Sequence, residues 1–270
     1  MSNVMKFLAC NSMVKVTCVN TIELVNKAKE IHGLSQLATK IFGEFLTIGS
    51  ILGADLKDDT DNLTLQVKSD YSQMTCVCKK GAKVKGYIQN EPIFENGTMY
   101  IIKDLGLKEP YMGIINIENG DIVNSFVKYY AKSEQIPTVL SAGVVFDENN
   151  NVKQAGGYMI QIMPDATDDV IDLIDNSVKK TETMTQMLEK NMSLKQIAKS
   201  LTKDEDILTM IADINNEYVC DCSKEKMLNG IATLAKEEIQ SIINENKDIE
   251  TVCHFCNKKY IIKVDELKHI

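Results

Sequence analysis

The chain has 270 residues, of which 44% are hydrophobic and 25% are charged, and its formal net charge at pH 7 is −8. This composition is ordinary for a globular protein, and the length allows one large domain together with a smaller one. The negative charge and the lack of arginine disfavour nucleic acid or an anionic membrane as the main partner, because both attract cations.

The start of the chain does not resemble an export signal. Residues 1–20 lack a basic segment followed by an uninterrupted apolar run. The most apolar segment, 34–56, contains Lys40 and Glu44, so we interpret it as a buried core helix rather than a membrane span. Eight cysteines without an export signal indicate a reducing cytosol, and we therefore expect a cytoplasmic location and thiol or metal chemistry.

Residues 1–166 predict a domain that mixes helices and strands. Asn20 or Thr21 is placed to cap a helix that ends at Gly33, and Ser35 is placed to cap the apolar helix that follows. Alternating apolar residues then predict five strands, at 63–67, 74–78, 84–88, 99–102 and 112–117.

The sequence of the rest of this domain predicts one more helix and two more strands. Asp121 begins the helix, and Pro137 separates it from a strand over 139–146. A turn at 148–151 leads into a strand that runs to Met163. Strands grouped with few helices favour an α+β fold over a regular βαβ alternation.

Residues 167–216 carry a helical pattern throughout. Apolar stripes predict short helices over 170–178, 194–201 and 207–214, and Ser193 and Asp204 are placed to cap the second and third. None of these helices is long enough to be stable alone. We therefore expect a helical linker region that lies over the first domain.

Residues 217–270 form the smallest predicted domain. Ser223 is placed to cap a short helix, and apolar spacing over 234–243 predicts a second one. A unit of this size rarely folds on its own core and commonly needs a metal or disulfides.

Two cysteine pairs bracket these helices. They are spaced Cys220-x-Cys222 and Cys253-x-x-Cys256, with thirty residues between the pairs. Two close thiol pairs can converge on one tetrahedral Cys₄ site, the usual geometry of structural zinc. The spacing also allows two local disulfides. The array therefore predicts zinc binding, and it leaves open whether the site is purely structural or releases its metal on oxidation.

The other cysteines carry weaker signals. Cys76 and Cys78 alternate with Met74 on one face of a predicted strand, and we interpret all three as core residues. Cys10 and Cys18 lack a close partner in sequence and are interpreted in the same way. The chain has no phosphate loop, nucleophile elbow or paired-carboxylate motif, so we predict that it is not an enzyme.

Four segments together resemble one known family. Two of them contain the cysteines: 220–225 reads Cys-Asp-Cys-Ser-Lys-Glu, and 253–257 reads Cys-His-Phe-Cys-Asn. Segment 129–137 has paired tyrosines, Ser-Glu-Gln and a proline, and segment 156–164 is a glycine-pair strand ending in Gln-x-x-Pro. These motifs are similar to those of the heat-shock protein 33 family, the redox-regulated thirty-three-kilodalton chaperonins of bacteria.

The resemblance implies an α+β body (1–166), a helical linker (167–216) and a small zinc-binding redox-switch domain (217–270). It implies that Cys220, Cys222, Cys253 and Cys256 bind one zinc ion per chain in a reduced, largely inactive form. Oxidation to the disulfides Cys220–Cys222 and Cys253–Cys256 would release the zinc. The resemblance then implies an active ATP-independent holdase, often a homodimer, whose partners are unfolded or oxidatively damaged client proteins.

The sequence is also compatible with two other functions. A thiol–disulfide oxidoreductase would use Cys253 and Cys256, but this pair lacks the strand-then-helix setting of a thioredoxin-like motif. A zinc-ribbon module that binds nucleic acid is disfavoured, because the last 54 residues hold ten acidic residues and eight lysines.

Overall fold

The computed structural model describes residues 3–204 and 209–267. The chain divides into two compact units, Met1–Tyr218 and Val219–Ile270. The first unit has an α+β architecture, which confirms the predicted fold class. The finer division into three parts, with boundaries after residues 166 and 216, stays a prediction.

The first unit contains most of the regular structure. Its strands are β1 (Val4–Ala9), β2 (Val14–Asn20), β3 (Asn62–Lys68), β4 (Gln73–Lys79), β5 (Lys83–Gln89), β6 (Thr98–Asp104), β7 (Tyr111–Asn116), β8 (Thr138–Phe146), β9 (Val152–Ile162), β10 (Thr209–Ile214) and β11 (Glu217–Tyr218). Its helices are α1 (Ile22–His32), α2 (Gln36–Gly53), α3 (Ile122–Tyr129), α4 (Asp168–Lys180), α5 (Met184–Glu189) and α6 (Leu194–Thr202), and a π-helical turn (Tyr130–Glu134) extends α3.

Two sheets organise this unit. The five-stranded sheet has the order β10-β1-β2-β9-β8, and the six-stranded sheet has the order β11-β5-β4-β3-β6-β7. Neighbouring strands are antiparallel, except that β11 pairs in parallel with β5. All five strands predicted between residues 63 and 117, and the two predicted after Pro137, are confirmed.

Helix α2 forms the centre of the core, because it packs against strands of both sheets. It begins where predicted: the Ser35 side chain accepts a hydrogen bond from the backbone N–H of Ala38. Several of its large apolar side chains, among them Phe42, Phe45 and Ile48, are completely buried. In the described part of the chain, no helix is both long enough and apolar enough to cross a bilayer.

The face of β4 beneath α2 carries two cysteines. Met74, Cys76 and Cys78 are completely buried, which confirms their interpretation as core residues. The two sulfurs lie 3.7 Å apart. Burial raises the pKa of the Cys78 thiol well above its ordinary value. A Cβ atom at Gly49 of α2 would lie 2.5 Å from the Cys76 sulfur, so the helix approaches this strand closely only because residue 49 is glycine.

Residues 168–202 form three short helices on the five-stranded sheet. The first and last, α4 and α6, match the predicted apolar stripes, and the Ser193 side chain caps α6 as predicted. Helix α5 was not predicted; it begins with a capping box formed by Thr183 and Gln186. Ile174, Ile197 and other apolar residues of these helices are buried in one cluster with side chains from β1, β2 and β9.

The third predicted helix, over 207–214, is wrong. Residues 209–214 form β10, an edge strand antiparallel to β1, and residues 207 and 208 lie outside the described residues. A short apolar run is compatible with both the helical period of 3.6 residues and the strand period of 2 residues. Pairing with β1 supplies hydrogen-bond partners for backbone groups that β1 would otherwise expose. The residues that would form a helical turn after Asp204, 205–208, lie outside the described residues, and the Asp204 carboxylate accepts a hydrogen bond from the backbone N–H of Cys10 at 2.6 Å. Cys10 itself is only half-buried, whereas Cys18 is completely buried.

The substitution Gly49→Ala should destabilise the first unit by about 1–2 kcal/mol, because the strain of overpacking exceeds the roughly 1 kcal/mol gained in helix propensity. Thermal or denaturant unfolding measures this loss. The double variant Gly49→Ala with Cys76→Ala should recover part of it, since the clashing sulfur is gone. At Gly230 a Cβ atom meets nothing within 4 Å, so Gly230→Ala serves as the control and should not be destabilising. Unchanged stability of Gly49→Ala would contradict the packing described.

Candidate metal centre

The second unit is built around two segments that each present a pair of cysteines. Its elements are α7 (Lys224–Ile231), α8 (Lys236–Glu245), β12 (Ile249–Val252), β13 (Lys259–Ile262) and α9 (Val264–Leu267). Cys220 and Cys222 lie in the extended segment before α7. Cys253 and Cys256 lie in the turn between β12 and β13, which pair in an antiparallel manner.

The backbone around each pair is fixed locally. The Ser223 side chain accepts a hydrogen bond from the backbone N–H of Lys226, so α7 begins where predicted, directly after the first pair. In the β12–β13 turn, the carbonyl of Cys253 accepts hydrogen bonds from the backbone N–H groups of Cys256 and Asn257. Asn257 has a left-handed backbone (φ 58°), a conformation that asparagine adopts more readily than most other residues.

The four sulfurs converge on one point. All of them lie within 4.8 Å of one another. The distances are 3.7 Å between the Cys220 and Cys253 sulfurs and 3.4 Å between the Cys222 and Cys256 sulfurs. Four sulfurs bound to one Zn²⁺ at ~2.3 Å would be about 3.8 Å apart in a tetrahedron. The cluster therefore has the donor set and the dimensions to hold a metal ion such as zinc.

Hydrogen bonding lowers the pKa of the Cys222 thiol. The hydroxyl of Tyr260 lies 3.0 Å from the Cys222 sulfur and 3.1 Å from the Cys222 carbonyl oxygen, so its one proton can be donated to either acceptor. Burial opposes ionisation of Cys222, but hydrogen bonds from Tyr260 and from the neighbouring thiols outweigh it and lower the pKa of Cys222 to about 7. Burial raises the pKa of Cys220 and of Cys256. Metals bind thiolates, so the lowered pKa of Cys222 favours the form of this side chain that binds a metal.

The second unit has very little apolar core. Among its described residues, the buried apolar set consists of four: Cys253, Ile262, Val264 and Leu267. Helices α7 and α8 have no buried residue. Folding must offset a conformational entropy cost of about 1–2 kcal/mol per residue, and so few buried side chains cannot do this. A further source of cohesion is needed, and the cysteine cluster is positioned to supply it.

Sequence reasoning identified the cysteines but missed Tyr260. Its position, four residues after Cys256, follows no spacing rule for zinc sites. Its contact with Cys222 arises only when the β12–β13 hairpin folds back on the first pair. The signal in the sequence, one aromatic residue in a short strand, was too weak to single it out.

Comparison with known proteins gives a consistent result. A family model described as "Hsp33 protein" matches residues 2–263. A protein of Acetivibrio thermocellus named "33 kDa chaperonin" is 35% identical over 281 residues, which cover 98% of this chain and 95% of that protein. A protein of Clostridium botulinum with the same name is also 35% identical, with the same coverage of both chains.

A solved structure agrees with this assignment. The crystal structure of a Thermotoga maritima protein, named 33 kDa chaperonin and heat shock protein 33 homolog, superimposes with a TM-score of 0.84. Its sequence is 25% identical, and the superposition covers 100% of this chain and 97% of that one. The likeness therefore extends over the fold as a whole.

The substitution Tyr260→Phe should weaken zinc affinity by roughly 10- to 100-fold, the usual effect of removing a group that hydrogen-bonds a metal ligand. All four cysteines stay in place, so competition with a chromophoric chelator isolates the contribution of the hydroxyl. In the first unit the Tyr87 hydroxyl accepts a hydrogen bond from Gln73, and the matched variant Tyr87→Phe should bind zinc like the parent. Equal affinity of the Tyr260→Phe variant and the parent would show that this hydroxyl does not support the site.

Proposed function

The chain belongs to the Hsp33 family, whose relatives carry the name 33 kDa chaperonin, and from this premise we propose that it is a redox-regulated, ATP-independent holdase. Membership supports a chaperone role, and it confirms the prediction that the chain is not an enzyme. The holdase mechanism and its redox control are our proposal. The observation that carries them is the four-sulfur cluster in a unit that buries almost no apolar surface.

In the resting form, we propose, Cys220, Cys222, Cys253 and Cys256 are thiolates that bind one zinc ion per chain. Zinc would cross-link the segment before α7 to the β12–β13 turn. Apparent binding free energies of about 10–16 kcal/mol for structural zinc are folding free energies in units that lack a core. The metal would thus supply the cohesion that the four buried apolar side chains cannot.

Activation follows from oxidation of the same sulfurs. Two molecules of hydrogen peroxide, with four protons, accept four electrons from the four thiolates and are reduced to four molecules of water. Following the family resemblance, the products are disulfides Cys220–Cys222 and Cys253–Cys256. These pairs are local in sequence, so each can form after the two segments separate. No thiolate ligand then remains, zinc is released, and the second unit loses its cohesion.

Client binding, on this proposal, uses apolar surface that becomes exposed on activation. Helices α4 and α6 are amphipathic: Ile174, Ile197 and Leu201 are buried in one cluster that includes residues of the five-stranded sheet. The apolar faces of these helices are buried. If the helices detached on activation, these faces would become exposed and could bind unfolded or oxidatively damaged clients. We further propose a homodimer as the active form and a cytoplasmic location, where thiols stay reduced until stress.

The oxidoreductase alternative is less well supported. In thioredoxin-like enzymes the Cys-x-x-Cys pair lies between a strand and a helix, whereas Cys253 and Cys256 lie in the turn of the β12–β13 hairpin. The alternative makes a clear prediction of its own: the chain would reduce insulin at a catalytic rate.

Peroxide treatment with mild heat should release about one zinc per chain and convert the protein into a form that suppresses light scattering by an unfolding client. Zinc release is followed with a chromophoric chelator, and reductant with added zinc should restore the resting form. If the reduced, zinc-loaded protein suppresses aggregation equally well, the redox switch is wrong although the holdase activity stands.

The substitution Cys256→Ser should lower the zinc content of the purified protein well below one per chain and increase proteolysis within residues 219–267, because a three-sulfur site binds weakly. Cys10 is half-buried and lies outside the cluster, so Cys10→Ser is the matched control and should retain full zinc content. A Cys256→Ser protein with normal zinc content would remove this residue from the proposed ligand set.

A further inference from the structure

A groove on the first unit is lined by amide and apolar side chains and by few charged ones. Its volume is about 630 Å³, within the roughly 300–1,000 Å³ typical of binding clefts. Residues from strands β1, β2, β9 and β10 or next to them form one side, and the turn between α5 and α6 forms the other. A quarter of the chain is charged, yet among the residues lining this groove Asp213 alone carries a charge.

Four primary amides line the groove. Asn3, Asn20 and Gln154 come from adjacent chain segments: the backbone N–H of Asn20 donates to the Asn3 carbonyl at 2.8 Å, and Asn20 pairs with β9 two residues from Gln154. Asn191 lies across from them in the α5–α6 turn, with a left-handed backbone (φ 57°). Within the described residues, the Asn3, Gln154 and Asn191 side chains make no hydrogen bond, and the Asn20 side chain uses only its oxygen, which accepts from the Ile22 N–H.

The remaining lining is mostly apolar and adaptable. Met5 and Met192 contribute flexible thioethers, and Leu188 and Leu194 contribute branched side chains. Thioethers adjust to side chains of different shape, so this lining does not demand one particular sequence.

These groups define the chemistry of a ligand. The residues that line the groove include no lysine to balance the negative charge of a phosphate group. They also include no aromatic ring on which a nucleobase could stack. Primary amides both donate and accept in one plane, as the peptide group does. We propose that the groove binds a short, extended, apolar polypeptide segment through its main chain, with Asp213 favouring a basic residue or a free amino terminus.

Main-chain recognition suits a protein with many partners, because the main chain is the feature that all unfolded polypeptides share. The assignment of such segments to clients rests on the proposed chaperone function. The groove is present with α5 and α6 folded on the sheet, so it is available in the resting form, before any oxidation. It would give that form a weak first contact with clients.

The test uses the full-length, reduced, zinc-loaded protein and a fluorescent, end-capped hexapeptide of alanine, leucine and valine with one lysine. Anisotropy should show binding, and Gln154→Ala and Asn191→Gly should each weaken it about five- to tenfold, the usual effect of losing one hydrogen bond. Glycine at position 191 keeps the left-handed backbone while removing the amide. Gln89 is an exposed glutamine at the end of β5 in the other sheet, and Gln89→Ala is the matched control that should bind like the parent.

A second probe separates main-chain recognition from simple apolar binding. The same peptide with N-methylated backbone amides should bind at least fivefold more weakly. No binding of the hexapeptide, equal binding by both groove variants and the parent, or equal binding of the methylated peptide would each overturn the inference.

The outcome is distinguishable from a failure of the proposed function. If peptide binding fails while the oxidised protein still suppresses client aggregation, the groove inference alone is wrong. If the groove binds peptide as described while neither the oxidised nor the reduced form suppresses aggregation, the holdase proposal is wrong and the groove stands as a peptide site.

Discussion

The second unit, we propose, depends on the convergence of its four cysteine sulfurs. All four lie within 4.8 Å of one another, in a unit whose described residues include only four buried apolar side chains. Hydrophobic burial, the main source of stability in most domains, is therefore nearly absent. The metal–thiolate bonds that we propose would stabilise this unit instead. Oxidation of the sulfurs would therefore unfold it.

The first unit, in contrast, is stabilised by a large apolar core. Helix α2 packs against both sheets, and one cluster of buried apolar side chains, drawn from Val4 to Met159, surrounds it. A body of this kind holds its shape without a cofactor. The first unit is stabilised by its own core, whereas the second unit, on our proposal, needs a metal. An oxidant could therefore unfold the second unit while the first unit stays folded. The amphipathic helices α4 and α6 bury their apolar side chains in one cluster with residues of the five-stranded sheet, and this is the surface that we propose the active form offers to clients.

How much the sequence predicted depends on how local each signal is. Strands with one buried face, such as β3 to β7, show plain alternation, and a cap such as Ser35 needs only its own neighbours; both were predicted correctly. Strand β10 was mistaken for a helix because its pairing with β1 joins segments about 200 residues apart. Each cysteine pair is a local motif and was found. Tyr260 and the amide groove assemble from distant segments, so no local pattern could reveal them.

Amide hydrogen exchange before and after zinc is removed from freshly purified, thiol-protected protein tests the central claim most directly. The account predicts about one zinc per chain at the start. Removal should bring fast exchange throughout 219–267, while the amides of β2, β9 and α2 stay protected. A second unit that keeps its protection without zinc, or that is protected in protein isolated with far less than one zinc per chain, would contradict the account.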